Sequence, residues 1–297
     1  MLIKLDCIPC ILKMSITSIR QLPLDEGSMQ ELYCKILEIP SLRGQFWDIT
    51  SAEIVELVWN QIANTTKNRD PLCLLKLEQN KRIMEVYPFL KRLVEEARDP
   101  LYTAVKLAIL GNAIDVMISD KRLDIEDLIT EQLEMPLSRT MYEEFEKRVK
   151  ESRLLLIFGD NSGEIVFDKL LIETIKERYD IDVVFIVRSV PTLNDATLNE
   201  ARSVGIDKIV PIVENGIDGP CPGTVLERCS EEVKRLVERA DMIVSKGGGN
   251  FDSLGEEKGD IRKKTTFMLL SKCHPYCDFF GVELHQPIIA NLEHYPI

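Results

Sequence analysis

The five apolar residues Leu154, Leu155, Leu156, Ile157 and Phe158 run without a polar break into Gly159-Asp160-Asn161-Ser162-Gly163-Glu164, after which a helical pattern begins near Ile165. A continuous apolar run of this length suits a strand covered on both faces, the habit of parallel sheets. Such a strand requires helices above and below it. It also delivers Asp160 and Asn161 to the carboxyl edge, where open α/β sheets bind ligands. The N-terminus of the following helix adds unpaired N–H groups and positive potential suited to an anion. A hard metal ion and a phosphate can therefore meet at this corner.

The rest of the chain reads as two parts. From Cys7 to about Lys150 apolar residues recur at helical spacing, as in Ile54, Val55, Leu57, Val58 and Ile62, while Pro40, Pro71, Pro100 and Pro136 punctuate starts and stops. Beyond residue 150, short apolar runs at 154–158, 183–187, 208–213, 242–245, 266–270, 279–284 and 287–290 alternate with helical segments. The pattern predicts a helical domain over residues 1–150 and an α/β domain over 151–297, built on a mainly parallel sheet and carrying the metal and phosphate site. With no repeat or long linker, the two parts should pack together and leave a cleft.

Charge narrows the partners. The chain has 37 Lys+Arg against 49 Asp+Glu, a formal net charge of −12. That is the wrong sign for broad attraction to nucleic acid or an anionic membrane surface, so a small anionic ligand needs a local positive site. The opening Met1-Leu2-Ile3-Lys4-Leu5-Asp6 lacks the pattern of a secretory signal, and no apolar stretch is long enough to span a bilayer. The expectation is a soluble cytoplasmic protein; its oligomeric state is not legible. Eight cysteines are too dilute for a small disulfide scaffold. Cys7/Cys10 form a C-x-x-C pair and Cys273/Cys277 a less suitably spaced one, which leaves a soft-metal site, a redox pair and plain packing open.

The strand ends carry the chemistry. The first strand delivers Asp160 and Asn161, the second the loop 188–197, and the strand ending near Ser245 delivers Lys246-Gly247-Gly248-Gly249-Asn250. Parallel strands bring these loops out on one edge. Oxygen ligands from Asp160, Asn161 and Asp195 suit Mg²⁺ or Mn²⁺, and glycine N–H groups can approach an anion closely. Singly, each feature has a plainer reading as a helix cap, a turn or a flexible connection; their coincidence on one rim is what capping alone does not require. Glu164 and Asp168 share a helical face and read either as a solvated surface or as support for a cation. The histidines His274, His285 and His294 lack the spacing of a helical zinc site. There is no G-x-S-x-G elbow, no G-x-x-x-x-G-K-[ST] loop, no G-x-G-x-x-G turn, and no second aspartate two residues after Asp160.

Taken in order, Asp6-Cys7-Ile8-Pro9-Cys10, Gly111-Asn112-Ala113-Ile114-Asp115, Gly159 to Glu164, Asn194-Asp195-Ala196-Thr197, Lys246 to Asn250 and Lys272-Cys273 resemble the DUF89 family, in particular its stand-alone prokaryotic and archaeal branch with an N-terminal C-x-x-C. The resemblance covers nearly the whole chain. It implies a helical domain joined to a Rossmann-like, three-layer α/β domain, and a metal-dependent phosphatase of the damage-control type that hydrolyses small sugar phosphates or damaged cofactor-related phosphates. It further implies that Asp160, Asn161 and Asp195 hold a single divalent ion, Mg²⁺ or Mn²⁺ with Co²⁺ and Ni²⁺ as further candidates, and that Asp160 and Asp195 serve catalysis. Lys246, Gly248, Gly249, Asn250 and Lys272 then contact substrate. Leu269-Leu270-Ser271-Lys272 stands where the eukaryotic branch has an Arg-Thr-x-Lys signature, which bears on substrate identity and not on the metal set. The alternatives are a metal and phosphometabolite sensor that turns nothing over, and a redox or metal-cluster protein using Cys7 and Cys10.

Overall fold

A computed structural model describes residues 1–117 and 125–295, with the side chains of 113–117 outside the description. Of the motifs above, Ala113, Ile114 and Asp115 therefore lie outside the described side chains.

Six strands form one sheet: β1 Leu154–Phe158, β2 Asp182–Val187, β3 Ile212–Glu214, β4 Met242–Lys246, β5 Thr265–Leu270 and β6 Pro287–Asn291, in the order β3-β2-β1-β4-β5-β6. The first five are parallel and β6 pairs antiparallel with β5. Alternate side chains of each strand enter two different cores, as the two-residue period of a strand demands. Leu155 and Ile157 of β1, with Val183, Phe185, Val244 and Met268, meet the helices Pro100–Met117 and Glu164–Arg178. Leu156 and Phe158, with Ile186, Ile243, Phe267 and Leu269, meet the helices Glu231–Arg239, Gly247–Leu254 and His274–Phe280. This is the three-layer, mainly parallel arrangement expected.

The element type changes after the helix Arg139–Glu151. Packing groups the chain in its own way. Residues 3–72 enclose a separate core around the fully buried Trp59, whereas residues 83–149 share a core with one face of the sheet. Two expected strands differ. Within 208–213 only Ile212 and Val213 are in a strand, after a 3₁₀ turn at Ile206–Lys208. The run 279–284 is instead the end of a helix: Pro275 opens His274–Phe280, Gly281 closes it at φ +66°, and Phe279 and Phe280 pack on Phe251 and Tyr295. Those are ordinary helix start and stop signals, and the aromatic pair masks them as a strand.

Strand order reverses between β1 and β4, because the connection after β1 moves outward to β2 and β3 before the chain returns to β4. In doubly wound sheets the crevice at such a reversal is where ligands sit.

Candidate metal and phosphate site

At this reversal the chain beyond β1 continues as residues 160–162, which pair with 194–196. Ala196 N donates to Asp160 O at 2.8 Å, Ser162 N donates to Asn194 O at 2.8 Å, and Asn161 and Asp195 form an antiparallel bridge. Two segments distant in sequence thus bring Asp160, Asn161 and Asp195 to one place. The segment Gly247–Leu254 closes the corner. Gly247 lies at φ +75°, and a Cβ there would stand 1.9 Å from Asp160 Oδ2; one at Gly249 would stand 2.0 Å from the Pro222 carbonyl. The glycines are required by close approach, so the flexible-connection reading fails.

A strand edge at the rim of a sheet would ordinarily be solvated, but Asp160 and Asp195 are only 6% and 2% exposed. Between them lies Arg188, just past β2 and 3% exposed, which the sequence reading left without a role. Its Nε donates to Asp195 Oδ2 at 2.6 Å and its second terminal nitrogen to Asp160 Oδ1 at 3.4 Å and Pro222 O at 3.0 Å. The remaining nitrogen donates to Thr224 Oγ1 at 3.1 Å and Asn250 Oδ1 at 2.8 Å. One guanidinium therefore ties both aspartates to the glycine-rich segment. The only sequence signal for it is an arginine directly following a buried strand.

Beneath this layer lies a second one. Glu164 and Asp168 are fully buried, so the solvated-face reading of that helix is corrected; Glu164–Arg178 is covered by the sheet on one side and by Pro100–Met117 on the other. Lys246 is also fully buried. Its Nζ donates to Glu164 Oε1 at 2.7 Å, to Asp168 Oδ1 and to the Ala108 carbonyl at 2.8 Å, so its charge faces these acids below the rim. Asn112 Nδ2 donates to Glu164 Oε2 at 2.6 Å and to Asp160 Oδ2 at 3.3 Å. Asn161 Nδ2 donates to Asp160 Oδ2 at 2.8 Å and Glu164 Oε2 at 3.2 Å, which turns its Oδ1 away from both acids. Asn250 is buried as well, its Nδ2 donating to Gly159 O and Lys246 O, so it acts as a joint between β1 and the glycine segment. Gly248 and Gly249 are half-buried in the first helical turn, and Lys272 is exposed two residues beyond β5.

The electrostatics follow. Burial, with Asp195 and Glu164 adding to it, pushes Asp160 well above the usual carboxylate range, while Arg188 and Lys272 oppose this. Burial likewise raises Asp195, with Arg188 pulling it partly back. Burial raises Asp168 to about 7 against the pull of Lys246. Burial works against the charge on Lys246, but Asp168 and Glu164 outweigh it and raise its pKa. Asp160, Glu164, Asp168 and Asp195 carry four negative charges when ionised, and Arg188 and Lys246 carry two positive ones, which leaves 2 − 4 = −2 in a buried corner. Buried charge of this size requires a counter-ion or protons.

Elsewhere, Asp70, Cys73 and Glu200 bring possible ligand atoms within 4.8 Å of one another, with Lys76 Nζ 2.7 Å from Asp70 and 3.3 Å from Glu200. All eight cysteines are free. Burial raises Cys7 and Cys10, and raises Cys273 to about 12, so at neutral pH these are thiols and not thiolates. No helix among the described residues is long and apolar enough to cross a membrane.

Comparison with known proteins gives the chain a family. The model of the damage-control phosphatase ARMT1-like domain matches residues 3–288. An uncharacterized protein of Methanocaldococcus jannaschii is 31% identical over 297 residues, covering 97% of this chain and 95% of its own. A damage-control phosphatase of Archaeoglobus fulgidus is 31% identical over 226 residues, 75% of this chain and 76% of its own. One of Pyrococcus horikoshii is 30% identical over 221 residues, 73% of each chain. The crystal structure of a DUF89 family protein from Pyrococcus horikoshii superposes with a TM-score of 0.86 at 24% identity, over 98% of this chain and 99% of that one.

Proposed function

Because this chain belongs to the damage-control phosphatase ARMT1-like family, we propose that it is a metal-dependent phosphomonoesterase acting on small phosphorylated metabolites, with a single divalent ion at the β1–β4 reversal. The observation that carries the reading is the buried corner of four carboxylates and two cations, whose deficit of two charges matches one divalent ion. The donor types fit it: two carboxylates and a carboxamide are hard ligands that suit Mg²⁺ or Mn²⁺ and leave positions for water and phosphate oxygens, with the Asn161 amide having to present Oδ1 where Nδ2 now faces Asp160.

Asp160, Asn161 and Asp195 would hold the ion. When bound, it supplies Lewis-acid polarisation of the phosphoryl group and offsets the negative charge that builds in the transition state. The protein's own groups do the rest. Arg188 holds one oxygen of each aspartate, which fixes both carboxylate planes. Lys246, Glu164 and Asn112 fix the Asn161 amide and the second oxygen of Asp160 from below. The half-buried Gly248 and Gly249 lie in a first helical turn, where backbone N–H groups lack helical partners and suit phosphate oxygens. Lys272, exposed on the same rim, supplies a point charge to the substrate phosphate. A water attacks phosphorus as the ester oxygen departs, and Asp160, with its raised pKa, receives the water's proton and passes it to the departing oxygen, so that an alcohol and phosphate leave.

The test is hydrolysis of p-nitrophenyl phosphate and a panel of sugar phosphates with Mg²⁺, Mn²⁺, Co²⁺ and Ni²⁺. Ion-stimulated release of phosphate by the wild type, lost in Asp160→Asn and Asp195→Asn proteins of unchanged fold, supports the reading. Wild-type turnover in either variant would end it.

A further inference from the structure

A hollow of about 450 Å³ lies between the C-terminal part of the helix Ser51–Thr66 and the loops that lead into the metal corner. Asn60, Ala63 and Asn64 form its floor, at the three- and four-residue spacing that places them on one face of the helix, and Lys67, in the left-handed conformation that ends the helix, borders it. The opposite wall is Val190 and Pro191, two and three residues beyond Arg188 on the loop that ends in Asp195, together with Pro220, two residues before the Pro222 carbonyl that Arg188 holds. Both parts of that wall are therefore continuous in the chain with the proposed site.

Its chemistry is selective. Lys67 and Arg69 bring two cations to the hollow, and neither has an ion-pair partner among the described residues, in a chain of net charge −12. Asp218, the acidic group lining the same space, is already paired with Arg228 at 3.0 Å. Asn60 and Asn64 offer exposed amides. Trp59, fully buried, packs against the same hollow. The volume suits a small metabolite.

The geometry points to a subsite for the far end of the substrate, and to a substrate class: phosphate esters of polyhydroxylated compounds that carry a second anionic group, with the hydroxyls meeting Asn60 and Asn64 and the second anion meeting Lys67 and Arg69. This rests on the phosphatase reading above. It goes further by naming specificity residues on the N-terminal helices, outside the metal corner.

Two substrates that differ in a single group decide it. 6-Phosphogluconate and sorbitol 6-phosphate share an open polyol chain and differ in a terminal carboxylate against a hydroxymethyl group; p-nitrophenyl phosphate has no hydroxyls to grip. With Mn²⁺ present, the wild type should prefer 6-phosphogluconate to sorbitol 6-phosphate by about tenfold in kcat/KM, the worth of one well-placed charged contact. The double substitution Lys67→Ala, Arg69→Ala should bring that ratio near unity. Ala63→Leu, which narrows the floor, should raise KM for 6-phosphogluconate while leaving p-nitrophenyl phosphate kinetics unchanged. Equal kcat/KM for the two polyol phosphates in the wild type, a preference that survives the double substitution, or an equal loss on all three substrates overturns the subsite. A wild type that hydrolyses none of the three with any of the four ions overturns the phosphatase reading instead. The hollow is then read directly, by titrating Trp47→Phe protein with 6-phosphogluconate and following Trp59 emission. A saturable change that Ala63→Leu removes upholds the subsite, and no change overturns it.

Discussion

Two acidic clusters in this molecule look alike by ligand type and differ in what their surroundings have done to them. Glu200, beside Asp70 and Cys73, has its carboxylate occupied: the Thr197 hydroxyl and backbone N–H donate to Oε2, and Lys76 lies 3.3 Å away. Burial alone would raise it, but these partners win and hold it below the ordinary glutamate range. Asp160 and Asp195 sit beside an arginine, yet both are raised. A cluster whose carboxylates are already content offers little to a metal. One whose carboxylates are short of positive charge gains by binding it. The proximity of ligand atoms is therefore a poorer guide than the local charge balance, because the cost of burying charge is set by all the neighbours at once.

The comparison can be broken most directly at the aspartates. Asp160→Asn or Asp195→Asn should reduce Mn²⁺-stimulated hydrolysis by about 100-fold or more, on the scale of removing one preorganised electrostatic contact. Each should also abolish the rise in Tm that Mn²⁺ gives the wild type. Glu200→Gln should leave the ratio of Mn²⁺-stimulated to basal rate as it is. If Glu200→Gln instead erased the stimulation, the two clusters would have exchanged roles.

A second test addresses Arg188. Its loss leaves two buried carboxylates without their shared partner, so Arg188→Ala should destabilise the ion-free protein by about 3–5 kcal/mol in urea unfolding, the usual effect of stripping one side of a buried pair. Added Mn²⁺ should recover part of that. Arg188→Lys keeps the charge but not the fork, and should fold while binding Mn²⁺ about 10- to 100-fold more weakly, as supporting residues of metal sites do. Unaltered Mn²⁺ affinity in Arg188→Lys would show that the fork is dispensable.

The smallest expected effect is in pH dependence. Asp168 is raised from 3.8 to about 7, so its protonated form is favoured in the fold. Its contribution is fully present below about pH 4 and is lost as pH rises through about 7. Compared with Asp168→Asn, the ion-free wild type should thus lose a few degrees of Tm across this window, and the difference between the two should flatten above it. A gap that is constant from pH 4 to 8 would mean that Lys246 keeps Asp168 ionised throughout.

Much of the candidate site is legible in the sequence. The apolar run 154–158 and its successors predict parallel strands, parallel strands end on one edge, and Asp160, Asn161 and the loop of Asp195 follow directly. What escaped was which charges face one another. Glu164 and Asp168 share the face that a solvated helix would present, and nothing in their spacing tells that Pro100–Met117 covers it. Lys246, in a loop beside three glycines, reads as a phosphate ligand, yet its ammonium points down to those two acids. Arg188 carried only the weak signal of a basic residue at a strand end, its partner Thr224 carried none, and Asn250, which reads as a substrate contact, is instead a buried joint.

Periodicity and strand punctuation determined the layers, the sheet edge and the residue types gathered there, because these depend on neighbours a few positions apart and on the geometry of a single element. Tertiary structure alone decided the depth of the corner, the pairing of Lys246 with Glu164 and Asp168, and the hold of Arg188 on both aspartates. Burial and Coulomb energy act through space between segments that the chain order keeps far apart.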